Sequence, residues 1–259
     1  MPVERILTTA IREALIYMYN ENPVSEKQLK ELAVSARKVN EDALSFLSHL
    51  PPVRTEHHYV ALQLFRAAFD HARGLLFLIE ANPVDMGAPA LALHRSQIEN
   101  FLRAVFLGFL ATEEQVKDFL DNDLGIRKKN HNNKWQNIGT VDLARRVEVF
   151  INDLSDDALD DALKFSRMVE NTWTPLCGFV HGGRAVHALY RDGQGEIGSD
   201  ISLDALVQCV SNCFVITNFA FMVVIGRVHE LLGVPITDPF SVSFDAFVKL
   251  QQALRANQS

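Results

Sequence analysis

Cysteine, glycine and proline are all scarce in this chain of 259 residues, and each scarcity narrows what it can be. Three cysteines, with none of the spacing of a disulfide framework or a zinc site, point to a reducing compartment. Thirteen glycines and nine prolines fall in short punctuating clusters, which argues against many short strands joined by tight turns. There is no Gly-rich phosphate loop and no dinucleotide fingerprint. Nor is there a Glu-x-x-His pair of the kind that builds a dimetal site in a helical bundle. Glu56-His57-His58 places its imidazoles side by side in sequence, so a helix cannot turn both to one metal. No metal and no cofactor are therefore expected. Positive charge is short as well: a net charge of −7 and a pI near 5.7 give no general attraction for nucleic acid or anionic membrane. The opening MPVERILTTAIREAL is broken by Glu4, Arg5, Arg12 and Glu13, so it reads as an amphipathic helix and not as a signal peptide. The expected address is the cytoplasm.

What the chain does hold is long apolar periodicity and 17 phenylalanines. The stretch that organises the rest is Ala90–Ala111, ALALHRSQIENFLRAVFLGFLA, which has no breaker but Gly108 and is apolar all round in its second half. Such a helix is enclosed by others. Its first half nevertheless carries His94, Arg95, Glu99, Asn100 and Arg103. Ala92, Arg95, Glu99, Leu102 and Phe106 share one stripe, so the expectation is a buried Arg95–Glu99 salt bridge. A second run, Cys209–Gly226, has 18 residues without a charge, the minimum for a membrane span. Ser211, Asn212, Thr217 and Asn218 interrupt it and no Lys/Arg flanks its start, so it is expected to be the core helix of a soluble bundle, with no membrane partner.

Taken in order, the chain reads as helices throughout. Val3–Tyr19 is the first. Ser25-Glu-Lys-Gln28 is a capping box that opens a second, which Pro51-Pro52 must end. Glu56–Ala81 is the third, joined to the central helix by a loop over Asn82–Pro89 short enough to make the two antiparallel neighbours. Thr112-Glu-Glu-Gln115 is another capping box, for a helix running to Asp121. Gly125–Gly139 lacks apolar periodicity and holds four of the 25 Lys/Arg, so it is read as a basic loop. Helices follow at Val141–Asp153 and Asp156–Glu170. Thr174-Pro175 has the form of an N-cap and first helical proline, with Gly182-Gly183 as the stop. Arg191–Glu196 is a turn, Leu203–Leu232 the charge-poor helix, and Phe244–Ala256 the last. The fold class is all-α, an antiparallel bundle. Residues 1–52 form an N-terminal helical pair on the core and 53–259 the main bundle.

Candidate chemistry gathers at few places. His181 ends its helix, where unpaired carbonyls favour a charged imidazole, and the glycines after it let a ligand approach; capping its own helix is the plainer role. Cys177 lies one turn before it on the same face, which permits a thiolate–imidazolium pair. Arg127, Lys128 and Lys129, with Lys134 and Trp135, have the character of a phosphate-binding strip with a stacking ring.

The segment HRSQIENFLRA, with Arg95 and Glu99, and the later Trp173-x-x-Leu176-x-x-Phe179-x-His181-Gly-Gly resemble a set of bacterial helical proteins similar to the HEPN-type superfamily. The resemblance spans roughly Glu56–Leu232. It implies a helical bundle core, here with extra N- and C-terminal helices, often dimeric and found in toxin–antitoxin and phage-defence systems. It also implies metal-independent ribonuclease activity through an Arg-x(4–6)-His motif. The chain departs from that motif at His181, whose preceding arginine is Arg167, whereas Arg66-Ala-Ala-Phe-Asp-His71 fits the spacing. Two readings of function follow. In the enzymatic one, RNA or a nucleotide is cleaved without metal: His181 is the acid/base, Arg95 stabilises the phosphorane and Glu99 orients it. Arg103, Arg127, Lys128, Lys129 and Arg184 then hold the substrate. In the other, the chain is a non-enzymatic module that binds a protein partner or dimerises.

Overall fold

The computed structural model describes residues 24–50, 55–122, 125–153, 165–182, 186–187, 190, 201–232 and 241–256. Among them are eight α-helices: α1 (Glu26–Ser48), α2 (Glu56–Ala81), α3 (Pro83–Val105), α4 (Glu113–Asn122), α5 (Thr140–Asp153), α6 (Phe165–Val180), α7 (Leu203–Leu232) and α8 (Ser241–Ala256). The expectation of an all-α bundle holds. Val3–Tyr19, Arg191–Glu196 and the end of the Gly182-Gly183 stop lie outside the described residues.

Local chemistry sets the helix starts. Ser25 and Gln28 exchange both bonds of the capping box at α1. Thr112 and Gln115 do the same ahead of α4, with Thr112 N–H donating to Gln115 Oε1 at 3.0 Å and Gln115 N–H to Thr112 Oγ1 at 3.3 Å. The expected loop from Asn82 to Pro89 is instead the first two turns of α3. Asn82 caps it and Pro83 takes the first helical position, where a missing N–H costs nothing. Pro89 deprives only the Asp85 carbonyl of a partner, and both residues face solvent. The same correction applies to Thr174-Pro175. Helix α6 runs straight through Pro175, whose orphaned carbonyl, on Asn171, is again on the exposed side.

Helices α2 and α3, hinged at Asn82, fold back as a hairpin and share the most extensive contact in the molecule. Helix α7 lies across α1 and α3, and α8 closes over α1 and α7. Four fully buried phenylalanines run in series through this core: Phe65 on α2, Phe101 on α3, Phe165 on α6 and Phe219 on α7, with successive centroids 6.4, 5.6 and 5.4 Å apart, the first pair tilted and the next two edge to face. That relay accounts for part of the unusual phenylalanine content. Helix α7 is long and apolar enough to cross a membrane, but 83% of its apolar window is buried among the other helices.

A polar seam crosses the same core. Asn40 on α1 donates to the Phe69 carbonyl at 2.9 Å and faces Thr217 on α7 at 3.5 Å. One turn along, Gln97 on α3 donates to the Cys213 carbonyl at 3.1 Å. Ser211, Asn212, Thr217 and Asn218, which break the apolar run in sequence, are therefore buried inside the bundle. Burial pushes the Cys213 thiol up to about 12 and the Cys209 thiol well above its ordinary range, so both are neutral packing groups.

Candidate functional site

The polar half of α3 points its side chains in three directions. His94 turns inward and is 1% exposed. Its Nδ1 lies 3.0 Å from Gln97 Oε1. Because Gln97 spends its N–H on Cys213, its oxygen is the acceptor and Nδ1 carries the imidazole proton. That leaves Nε2 as a buried lone pair with no partner among the described residues. Desolvation lowers the His94 pKa to about 4, the Gln97 bond offsetting part of the fall.

Arg95 points toward α6. Its guanidinium sits 5.1 Å from the centre of the Trp173 ring, and its Nε is buried without a partner among the described residues. Glu99 does not pair with Arg95. It takes Arg103, one turn further on, at 2.5 Å, and both side chains stay partly exposed, 31% and 26%. The expected Arg95–Glu99 bridge fails for an orientational reason: a glutamate reaches a cation four residues C-terminal to it more favourably than one four residues before it. Arg103 also lies 5.9 Å from the Phe119 ring of α4. The pair opens on a cleft of about 140 Å³ between α3, the strand ends and α5, lined by Glu99, Arg103, Ile126, Asn137, Thr140 and Leu143.

The basic segment is not an irregular loop. Strands β1 (Arg127–Lys129) and β2 (Trp135–Asn137) pair antiparallel, Lys129 opposite Trp135. Period-2 alternation puts Arg127, Lys129 and Trp135 on one face, and that face docks on acidic α4. Arg127 makes a two-pronged bond with Asp118, Nε to Oδ2 at 2.8 Å, and Lys129 pairs with Glu114. Both cations lie over the Trp135 ring, Arg127 at 5.5 and Lys129 at 5.3 Å from its centre. Lys128 stands on the opposite face, exposed and without an ion pair to a described residue.

His181 ends α6 as expected, its N–H bonded to the Cys177 carbonyl at 3.0 Å and Gly182 in the left-handed conformation at φ +65°. The imidazole is exposed and makes no side-chain bond to a described residue, Cys177 included. It follows Trp173 by eight residues, so it lies about 12 Å along α6 from the contact with Arg95. Arg184 lies outside the described residues. The chain thus brings Glu99 to Arg103, and Arg95 to Trp173, but it does not bring Arg95, Glu99 and His181 to one cleft. Among the described residues no group of three His, Cys, Asp or Glu is placed to hold a metal ion.

Residues 65–234 match the sequence profile of a family of unknown function. The chain belongs to that family, DUF6988. No curated protein and no solved structure matches it. The DUF6988 region takes in most of α2, all of α3 to α6 and α7, and hence every candidate residue above. Helices α1 and α8 fall outside it, yet both pack against α7 in one core with the DUF6988 helices.

Sequence reading had not singled out His94, Gln97 or Trp173 as a working set. The available signal was spacing: His94 and Gln97 lie on the stripe of Ala90, Ile98 and Phe101, so they had to be buried with those residues. In this DUF6988 chain Glu99 is a partly exposed member of an i,i+4 pair, so Glu99→Gln is expected to cost about 0.5 kcal/mol and no more than about 1. Denaturant titration of the two proteins checks this. A loss near 3 kcal/mol would mean a buried, unscreened charge.

Proposed function

We propose that this chain is a non-enzymatic helical interaction module. The observation that carries the reading is the separation of the three groups that phosphodiester chemistry would need. Arg95 is spent on Trp173, Glu99 on Arg103, and His181 stands at the far end of α6. Positioned catalysis requires such groups within hydrogen-bond reach of one reacting centre. The cleft beside Glu99, about 140 Å³, is also below the roughly 300–1,000 Å³ of ordinary ligand pockets. The cations that would steer a nucleic acid, Arg127 and Lys129, are neutralised by Asp118 and Glu114. The HEPN-type resemblance belongs to this reading as a shared helical scaffold from bacteria, working in the cytoplasm and out of the membrane; the buried apolar window of α7 supports the last point.

The test is an activity assay on the folded protein with single-stranded RNA and free nucleotides, each with chelator and with added divalent metal. No turnover is expected in any arm, and His181→Ala is expected to match the parent. Cleavage in chelator that is lost in His181→Ala would overturn the proposal in favour of a metal-independent ribonuclease.

A further inference from the structure

Among the described residues four arginines are partly buried: Arg37, Arg95, Arg103 and Arg127. Three of them hold a carboxylate. Arg37 takes Glu41 and Glu80, Arg103 takes Glu99, and Arg127 takes Asp118. Arg95 holds none among the described residues, and its Nε is buried without a partner there. Trp173 covers the face of the guanidinium at 5.1 Å, but the N–H groups lie in its plane and are not consumed by that contact. A cation that has lost part of its water and met no anion has already borne much of the cost of pairing, so an incoming anion gains more here than at an exposed arginine. One planar fork suits one carboxylate. A doubly charged phosphate would find a single free cation, since Arg103, the next on α3, is taken by Glu99, in a chain of net charge −7.

We propose that Arg95 receives an acidic side chain from an extended segment of a partner protein, and that the aliphatic side chain two residues away sits in the cleft beside Glu99. The inference rests on the interaction reading and gives its partner a chemistry. Glu99 follows Arg95 by four residues, so the cleft begins about 6 Å along the same face of α3. Its walls are largely aliphatic, with Leu102, Ile126, Ile138 and Leu143, and its volume of about 140 Å³ suits one side chain rather than a whole ligand. An extended peptide returns a side chain to the same face every two residues, about 6.6 Å. That spacing matches the step from Arg95 to the cleft. Neither place could hold a small molecule alone, whereas a peptide fills both and satisfies the one buried arginine left unpaired.

Trp135 and Trp173 are the chain's two tryptophans, so Trp135→Phe leaves Trp173 as a reporter in contact with Arg95. The probe is the acetylated and amidated pentapeptide Leu-Ala-Glu-Ala-Leu, whose two leucines serve either chain direction. At constant ionic strength it should change Trp173 emission along a saturable curve, with Kd on the order of 1 mM for so small a contact. The peptide with Gln in place of Glu should bind at least tenfold more weakly, and so should the Glu peptide to Arg95→Gln. Arg95→Lys should lose most of the binding too, because an ammonium has no planar fork. Arg95→Gln should melt as the parent does, since it strands no carboxylate. Replacing both leucines by alanine should weaken binding severalfold, and Asn137→Tyr, which narrows the exposed rim of the cleft, should erase that difference. No saturable change by about 20 mM peptide overturns the proposal. So does a Gln peptide that binds like the Glu peptide, or an Arg95→Gln protein that binds like the parent. Acetate or inorganic phosphate giving the same curve at equal concentration also overturns it, because the site would then take any small anion. A chain that ignores the peptide and is also inactive on RNA keeps the interaction reading and excludes only this surface. Cleavage of RNA removes that reading whatever the peptide does.

Discussion

Gly108→Ala is expected to cost about 3 kcal/mol, the upper end of what one surplus methyl does in a packed core. Gly108 lies in the five-residue π-helical segment Phe106–Leu110 that continues α3, where the Ala111 N–H reaches back to the Phe106 carbonyl at 2.8 Å. The wider turn brings this backbone onto α2. A Cβ on Gly108 would stand 2.6 Å from the Cβ of Ala61, with the His57 carbonyl at 4.0 Å. Ala61 has no rotamer to escape into, so the two helices must part, and His57 must loosen its bond to Leu107. In a chain of this size a loss of about 3 kcal/mol lowers the melting temperature by roughly 6–12 °C. Gly139→Ala is the control, because a Cβ there meets nothing within 4 Å. Ala61→Gly combined with Gly108→Ala should recover most of the loss, since the methyl has only changed helix. A Gly108→Ala protein that melts with the parent would show that the close approach does not exist.

That contact also marks where sequence reading stops. Gly108 was visible as the one interruption in Ala90–Ala111, but nothing along the chain says that it touches Ala61, nearly fifty positions earlier. The bounds of α2 and α7 were legible because hydrophobic period and local breakers agree there: Thr55 and Asn82 cap α2, and α7 carries a stretch, Cys209–Gly226, with no charge. Pro89 and Pro175 misled for one reason. A proline breaks a helix when its lost hydrogen bond is buried, and in both helices the orphaned carbonyl faces water, which periodicity cannot foretell. The hairpin at Arg127–Asn137 has strands of three residues, too short for alternation to register, and is held by Asp118 and Glu114 from a helix already past. The candidate site follows the same division. Which residues of α3 are polar was plain; which neighbour each would choose depended on where α6 and α7 come to lie. Trp173 claims Arg95 and the Cys213 carbonyl claims Gln97, and both are tertiary events.

His94 gives that tertiary choice a measurable consequence. Its pKa falls from an ordinary 6.5 to about 4 on folding, chiefly through loss of water and despite the bond to Gln97. Above pH 6.5 the imidazole is neutral in the folded and unfolded chains alike, so the stability it permits is fully present. Between pH 6.5 and about 4 the unfolded chain gains a proton that the folded one excludes, and stability is lost as pH falls. The expected loss is about 1.4 kcal/mol per pH unit and about 3 kcal/mol across the window. Other histidines and the carboxylates titrate in the same range, so the quantity to measure is the difference between the parent and His94→Gln. That variant keeps an N–H for Gln97 Oε1 and removes the titration. Denaturant unfolding at steps from pH 7.5 to 4.5 should find the parent more stable at the neutral end, with the two converging or crossing as the solution is acidified. Parallel curves would mean that His94 takes up its proton in the folded state. The seam between α3 and α7 would then have to admit water to the imidazolium, and the lone pair at Nε2, unpartnered at neutral pH, would be the first point of entry.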